Sequence, residues 1–394
     1  MDFDYTPQEE AFRQELRTWL EANPPEGYEP DTFEQIDQDE RFAIQLKWQR
    51  KLYAAGWVGI HWPQKYGGRG ATMVEQTIYQ QEMARGRAPS VANSLGISIV
   101  GPTLMHWGTE EQKKRYVPKI LSAEEIWRQG YSEPGSGSDL ASLQTRAVDE
   151  GDSFVINGQK VWTSYAHKAH YCVLVARTDA NAPKHKGLSY LLVDMRSPGI
   201  TVRPLVQITG DAEFNEVFFE NVGVPKANLV GEQNQGWQVA MTTLMFERAN
   251  FGLVYQLEPL LQQLSDIARR LRENCHTAAE GPAVRQKLAQ FYIETQATKL
   301  NGFRQLTRQL RGDPPGPEGS IGKLAGSELN WRVAHFALEL LGPYSQCALG
   351  ETRGIDAGAW SQRALGSRLY TIAGGSSEIM RNIIGDRVLA LPKG

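Results

Sequence analysis

The feature that most constrains this chain is a change of period partway along it. Between about Glu125 and Val230, "SFVINGQKVWTS", "YCVLVARTD", "LSYLLVDM", "ITVRPL" and "NEVFFENVGV" are short β-branched or aromatic runs bounded by Gly, Asn, Asp and Pro. That pattern predicts strands, with "ING" at Ile156 to Gly158 predicted as a hairpin turn. On both sides the apolar spacing is three to four. Phe12, Leu16, Trp19 and Leu20, then Phe42, Leu46 and Leu52, mark helices from Thr6 to about Ser122, broken at "ANPPEGYEP" and "WVGIHWPQKYGGRG". After "GEQNQGW" the helical period returns. Helices are predicted over about 235 to 274, 283 to 311, 319 to 341, 355 to 366 and 378 to 389, with the proline-bearing "RGDPPGPEGS" separating two of them. The fold class expected is mainly α with an inserted β domain: a helical domain over 1–124, a β domain over 125–232 and a helical bundle over 233–394.

Length and charge narrow the function classes. A chain of 394 residues carries more than one small core. No run approaches the ~20 apolar residues that cross a bilayer. The start, "MDFDYTPQEEAFRQELRTWL", is acidic and amphipathic, unlike a secretory leader, so a cytoplasmic protein is expected. A formal net charge of -3 gives no basic field for nucleic acid. Cys172, Cys275 and Cys347 form no C-x-x-C pair, which points away from a disulfide framework and a structural zinc site.

Two segments carry candidate chemistry. "YSEPGSGSDLASLQTRA", Tyr131 to Ala147, offers small residues, backbone N–H groups and the hydroxyls of Ser132, Ser136 and Ser138, a composition suited to a flat ring or a phosphate. It is not a G-x-S-x-G nucleophile elbow. "GQKVWTS", Gly158 to Ser164, places Trp162 and Ser164 on one strand face by alternation. A tryptophan there suits stacking on an extended ring, although a strand tryptophan is ordinarily core.

Together with "ERAN" after the β segment and the closing "AGGSSEIMRNIIGDRVLALP", these blocks stand in an order and spacing that closely resemble the acyl-CoA dehydrogenase family over nearly the whole length, in particular its bacterial FadE-like members. The resemblance implies a helical N-terminal domain, a β-barrel-like middle domain and a C-terminal four-helix bundle, with FAD and an acyl-CoA thioester between them. It implies that Tyr131 and Ser132 lie along the flavin, that Gly137 and Ser138 approach the pyrophosphate or substrate, and that Trp162, Thr163 and Ser164 cover the isoalloxazine ring. A flavin needs hydrogen-bond donors near its ring nitrogens and a dry wall, and these residue types supply both.

The reaction implied is α,β-dehydrogenation of an acyl-CoA to the trans-2-enoyl-CoA, in which a carboxylate removes the α-proton and the β-hydrogen leaves as hydride to flavin N5. Many members carry that glutamate directly before the Gly-Thr of the closing block; the matching residue here is Gly374. Other members place it on a bundle helix before a substrate-packing arginine. In "TTLMFERANFG" those residues are Glu247 and Arg248, with Leu244, Met245, Phe246 and Phe251 around them in sequence. Glu247 is therefore the expected base, Met245, Arg248 and Ser138 the expected substrate contacts, and Gly374 the donor of a backbone N–H to the thioester carbonyl.

In homotetrameric members a neighbouring subunit completes each FAD through an arginine motif before the second bundle helix and a glutamine and glycine motif after the third. Here those regions read "HTAAEGPAVRQKLAQ" and "ELLGP". Either Arg285 substitutes in a homotetramer, or a related chain completes the site in a heterotetramer of the kind seen in bacterial steroid side-chain degradation. Electrons are expected to pass to an electron-transferring flavoprotein. The competing readings are an acyl-CoA oxidase-like relative and a non-catalytic acyl-CoA-binding subunit. In "TIAGGSSEIMRN", Ser377 is expected to cap the last helix, Ser376 and Glu378 to meet the adenosine half of FAD, and Ile379, Ile383, Ile384 and Val388 to form the buried face.

Overall fold

The protein is described from a computed structural model covering residues 4–249, 252–273, 276–312 and 316–392, with backbone only for 247–249, 252–254 and 273. Its helices are α1 (Pro7–Ala22), α2 (Gln38–Ala54), α3 (Met73–Arg85), α4 (Gly101–Trp107), α5 (Glu110–Leu121), α6 (Gly236–Ala249), α7 (Gly252–Arg270), α8 (Pro282–Leu310), α9 (Gly319–Leu341), α10 (Ala359–Gly366), α11 (Arg368–Ile372) and α12 (Ser377–Ile383). Its strands are β1 (Trp127–Gly130), β2 (Arg146–Asp149), β3 (Ser153–Ser164), β4 (Tyr171–Arg177), β5 (Leu188–Asp194), β6 (Ile200–Leu205), β7 (Phe214–Pro225), β8 (Leu229–Val230), β9 (Arg272–Glu273) and β10 (His276–Thr277).

Helix starts follow from local chemistry. Thr6, Thr72 and Thr109 each accept a hydrogen bond from the backbone N–H three residues on, while Glu9, Glu75 and Gln112 reach back to the cap N–H. Such reciprocal boxes satisfy two of the orphan donors at a helix start. Strand cores follow from alternation: Phe154, Ile156, Val217, Phe219, Val222 and Val224 point to one apolar layer with Leu174, Leu191 and Val193.

The chain forms two compact units. One comprises residues 38–71 and 90–247, with α2, α4, α5, all eight strands of the main sheet and α6 up to Glu247. The sheet runs β6-β7-β3-β2-β4-β5-β8, with β1 added in parallel along β4. Buried Asn93 ties the helices to it: its N–H donates to Gln49 Oε1, its amide donates to the Ile120 and Glu125 carbonyls, and its Oδ1 accepts from Trp127 N–H at 2.8 Å.

The other unit comprises residues 4–37, 72–89 and 248–392. Leu257, Leu264 and Ile267 of α7, Phe291 of α8, Leu329 and Val333 of α9 and Trp360 of α10 form its bundle core. α1 and α3 are joined by buried Glu82, which accepts from Arg17 at 2.9 and 2.7 Å and from Arg85 at 2.8 Å.

Three local expectations are corrected. "ING" is not a turn: β3 runs unbroken through it, its pairing with β7 stepping from Ile156 to Gly158 as a bulge, and the chain reverses instead at Glu150–Asp152. The helix expected over 235 to 274 is two helices, α6 and α7, with 250 and 251 outside the described residues. Its expected end is a short antiparallel pair, β9 with β10. α10 begins at Ala359, because Asp356 and Ala357 adopt left-handed φ values of 51 and 49 degrees that no α-helix of L-residues continues. Cys172 is a buried free thiol, Cys347 is half-buried and Cys275 lies outside the described residues. No helix among the described residues is long and apolar enough to cross a membrane.

Candidate functional site

The loop Tyr131–Ser138 leaves β1 and is held by few regular backbone pairs. Glu133 and Ser136 exchange N–H to carbonyl bonds of 2.8 and 3.0 Å, and Val161 N–H donates to the Ser132 carbonyl at 2.9 Å. The loop therefore lies directly against the end of β3. Tyr131 is buried, Ser132 half-buried, and Gly137 and Ser138 are exposed. A Cβ added at Gly135 or Gly137 would meet nothing within 4 Å, so the outer face of the loop is open.

The end of β3 departs from simple alternation. Its pairing with β7 jumps from Lys160 opposite Val217 to Thr163 opposite Asn215, and Trp162 in the bulge has φ 61 degrees. This left-handed residue carries strain that a bulky side chain does not otherwise adopt. The effect is to turn the Trp162 ring outward, 59% exposed, with the Phe214 ring edge-on to it at 5.9 Å. Thr163 points inward, 1% exposed, and its Oγ1 has no hydrogen-bond partner among the described residues. Ser164 is half-buried. An exposed aromatic wall beside a buried hydroxyl that lacks a partner among the described residues suits a planar ligand with a hydrogen-bonding edge, since orphaned buried hydroxyls are rare and costly.

α6 is seated on the same unit. Its Thr243, one turn before Glu247, bonds to Thr103 at 3.0 Å and to the Tyr190 hydroxyl at 3.3 Å; Trp107 donates to Thr242 at 3.1 Å. The Tyr190 ring meets that of Tyr131 edge-on at 6.2 Å. Burial pushes the Tyr190 hydroxyl up to about 12, so it stays a neutral donor and acceptor throughout the physiological range. Leu244 and Phe246 are half-buried and Met245 is exposed. Glu247 and Arg248 belong to α6, but their side chains, and Phe251 entirely, lie outside the described residues.

Gly236 fixes where α6 starts. A Cβ there would sit 2.4 Å from the Ser189 carbonyl carbon and 2.7 Å from Tyr190 N, both main-chain atoms that cannot yield. Gly236→Ala is therefore expected to destabilise the protein by about 1–3 kcal/mol, read as a lower unfolding midpoint in denaturant.

In the other unit, Gly374 and Gly375 have φ 65 and 97 degrees and form the tight turn before α12. The cap is Ser376, not Ser377: Ser376 is extended and its hydroxyl accepts from Ile379 N–H at 3.3 Å, whereas Ser377 is already the first helical residue and buried. The two serines are chemically alike; the backbone turn at Gly374 and Gly375, held from α9 by Lys323 donating to the Gly375 carbonyl, decides which is the cap. The buried side of α12 is Ser377 and Met380; Ile379, Ile383, Ile384 and Val388 are half-buried. Glu378 is exposed and held below the usual carboxylate range by its own backbone N–H and by Ser376. Arg285 is an exposed residue of α8, and Glu280 before it bonds to His276 at 2.9 Å. Gly342 ends α9 with φ 53 degrees in the "ELLGP" segment.

Glu133 and Lys160 have no role that motif or spacing assigns. They form a buried ion pair of 2.8 Å beneath the loop. A lysine inside a strand, next to Val161 and Trp162, is the available signal, since a charged group buried there needs a partner.

Comparison with known proteins agrees along the whole chain. The acyl-CoA dehydrogenase N-terminal, middle and C-terminal domain families match residues 6–124, 129–222 and 234–389. Acyl-CoA dehydrogenase IpdE1 of Mycobacterium tuberculosis is 40% identical over 400 residues, covering 98% of each chain. Among solved structures, the Tcur3481-Tcur3483 steroid ACAD superposes with TM-score 0.87 at 33% identity over 100% of both chains. The ChsE4-ChsE5 complex from Mycobacterium tuberculosis gives 0.84 at 30%, again over 100% of both. With all three domain families matched in order, this chain belongs to the acyl-CoA dehydrogenase family of oxidoreductases.

Proposed function

We propose that this chain is an FAD-dependent acyl-CoA dehydrogenase of the heteromeric steroid-degrading kind, with Glu247 as the base that removes the α-proton of the thioester. The observation that carries the cofactor reading is the end of β3, where exposed Trp162 flanks the buried Thr163 hydroxyl, which has no hydrogen-bond partner among the described residues. Tyr131, Ser132, Thr163 and Ser164 would hold the flavin ring and Trp162 would cover it, with Gly137 and Ser138 toward the pyrophosphate. Ser376 and Glu378 are proposed for the adenosine half. Bound FAD supplies the hydride acceptor at this site.

The chain's own residues do the rest. Glu247 takes the proton, and a carboxylate serves best as base when a dry surrounding raises its pKa toward the working pH. Gly374 gives its N–H to the thioester oxygen as negative charge gathers there, which is worth several kcal/mol in such sites. Met245, Arg248 and Ser138 are proposed to orient the substrate. Domain limits of 1–124, 125–232 and 233–394 are proposed to match this division of labour.

Two solved relatives are named as pairs of chains, and one pair as a steroid enzyme. Together with the degraded "HTAAEGPAVRQKLAQ" and "ELLGP" segments, they favour a related second chain as the completing subunit and a steroid-derived acyl-CoA as substrate. An electron-transferring flavoprotein is the proposed electron acceptor. The test is to purify the chain alone and co-expressed with a related chain from the same source, measure FAD per protomer, and add straight-chain or steroid side-chain CoA thioesters without oxygen. Full occupancy only in the mixed assembly, with its flavin colour bleached by the steroid thioester, is the expected result. No bleaching by any acyl-CoA in either assembly overturns the reading. Hydrogen peroxide as the main product in air would favour the oxidase-like alternative.

A further inference from the structure

A buried ion pair needs a reason. Replacing such a pair by apolar residues of similar volume is often neutral or stabilising, because two charges lose their hydration and regain it only through close geometry. Lys160 of β3 is 0% exposed and Glu133 of the Tyr131–Ser138 loop 8%, so both charges are out of water. Burial pushes the Lys160 ammonium down; at Glu133 burial works to raise the carboxyl, but Lys160 and the backbone donors outweigh it and hold the group below its ordinary range.

The partners of this pair say what it holds. Lys160 Nζ donates to Glu133 Oε1 at 2.8 Å and to the Tyr131 carbonyl at 3.0 Å. The Glu133 carboxylate also accepts from Gln144 N–H at 2.6 Å and Thr145 N–H at 2.9 Å. One ammonium and one carboxylate thus gather the start of the loop, the segment returning from it and β3 at a single point. No apolar pair can tie three backbone segments in this way, because only charge-assisted hydrogen bonds are both strong and directional. The stem of Lys160 reaches this point past Gly130, where an added Cβ would lie 3.6 Å from Lys160 Cγ and 2.9 Å from Cys172 Sγ.

Position along β3 matters as much. Lys160 is the last residue in register with β7 before the bulge that presents Trp162 and Thr163. We propose that the Glu133–Lys160 pair is a positioning device that sets the loop donors Tyr131 and Ser132 and the strand residues Trp162 and Thr163 in one fixed register, so that both segments engage the same cofactor ring. The proposal rests on the reading of these segments as the flavin wall. Neither residue touches the cofactor in this scheme; each acts through the groups it holds.

The test uses the full chain in whichever assembly the occupancy experiment identifies, stripped of FAD and titrated with FAD by flavin fluorescence. Glu133→Leu with Lys160→Met together, and Glu133→Gln alone, are compared with wild type. A positioning role predicts that the paired apolar replacement keeps the cofactor-free unfolding midpoint close to wild type, whereas Glu133→Gln, which leaves Lys160 buried without its carboxylate, lowers it; in both folded variants the FAD dissociation constant rises at least tenfold and the visible spectrum of bound FAD changes. Unchanged FAD affinity in either folded variant overturns the proposal. So does, in the paired replacement, a loss of affinity that merely follows a loss of cofactor-free stability, or failure of both variants to fold, since each assigns the pair to stability alone. If wild type itself binds no FAD in any assembly, it is the flavoprotein reading that fails, and the two failures are thereby distinguished.

Discussion

Glu247→Gln is expected to lower the turnover of the assembled enzyme by about a hundredfold or more, a loss of ~3 kcal/mol or more in barrier stabilisation. Glutamine keeps the shape and polarity of the side chain but cannot accept the proton, and a positioned general base contributes typically 10²–10⁴-fold. The measurement is the rate of flavin bleaching after rapid mixing with acyl-CoA, alongside FAD content, which should not change because the role proposed for Glu247 is toward the substrate. Unchanged turnover in the complex would make this chain the non-catalytic, acyl-CoA-binding member of a pair.

The largest expected effect on stability is at Glu82. Its buried carboxylate receives Arg17 of α1 and Arg85 of its own helix, with Arg13 Nε 3.7 Å away. Glu82→Ala leaves three guanidinium groups facing one another around a vacated site. Removing one partner of a buried ionic cluster costs ~3–5 kcal/mol; the half-exposed arginines can partly recover water, which places the expectation near the lower figure. Denaturant unfolding of the full chain measures it. The pH dependence has a definite sign. Burial by itself would raise the Glu82 carboxyl, but hydrogen bonds and charge from Arg17 and Arg85 outweigh it and hold the group below its ordinary value. A depressed folded-state pKa contributes stability that is present above the unfolded value and lost as pH falls through the folded one. The variant should therefore lose less stability than wild type on acidification.

Local chemistry explains what was legible. The five runs read as strands from their period of two are β3, β4, β5, β6 and β7, because alternation and β-branching act between near neighbours. β1, β2 and β8 were not separately read. "WRQG" and "RAVD" are four residues each and β8 only two, too short to show a period. The four blocks carry the family resemblance by their residue identities, order and spacing along the chain, not by a hydrophobic period.

What the sequence by itself determined, then, was the helical and sheet composition, the start of the first helix at Thr6, and the family to which the chain belongs. Tertiary structure alone decided three things. It placed the β3 bulge at Lys160–Thr163, which turns Trp162 out and buries Thr163. It chose Ser376 over Ser377 as the cap of α12. It brought Glu133 and Lys160 into one buried pair under the loop. The physical reason is common to all three. Propensity and periodicity are set by side chains within about one helical turn of each other, whereas a bulge, a cap shifted by one residue and a buried salt bridge depend on which distant segment the chain has folded against.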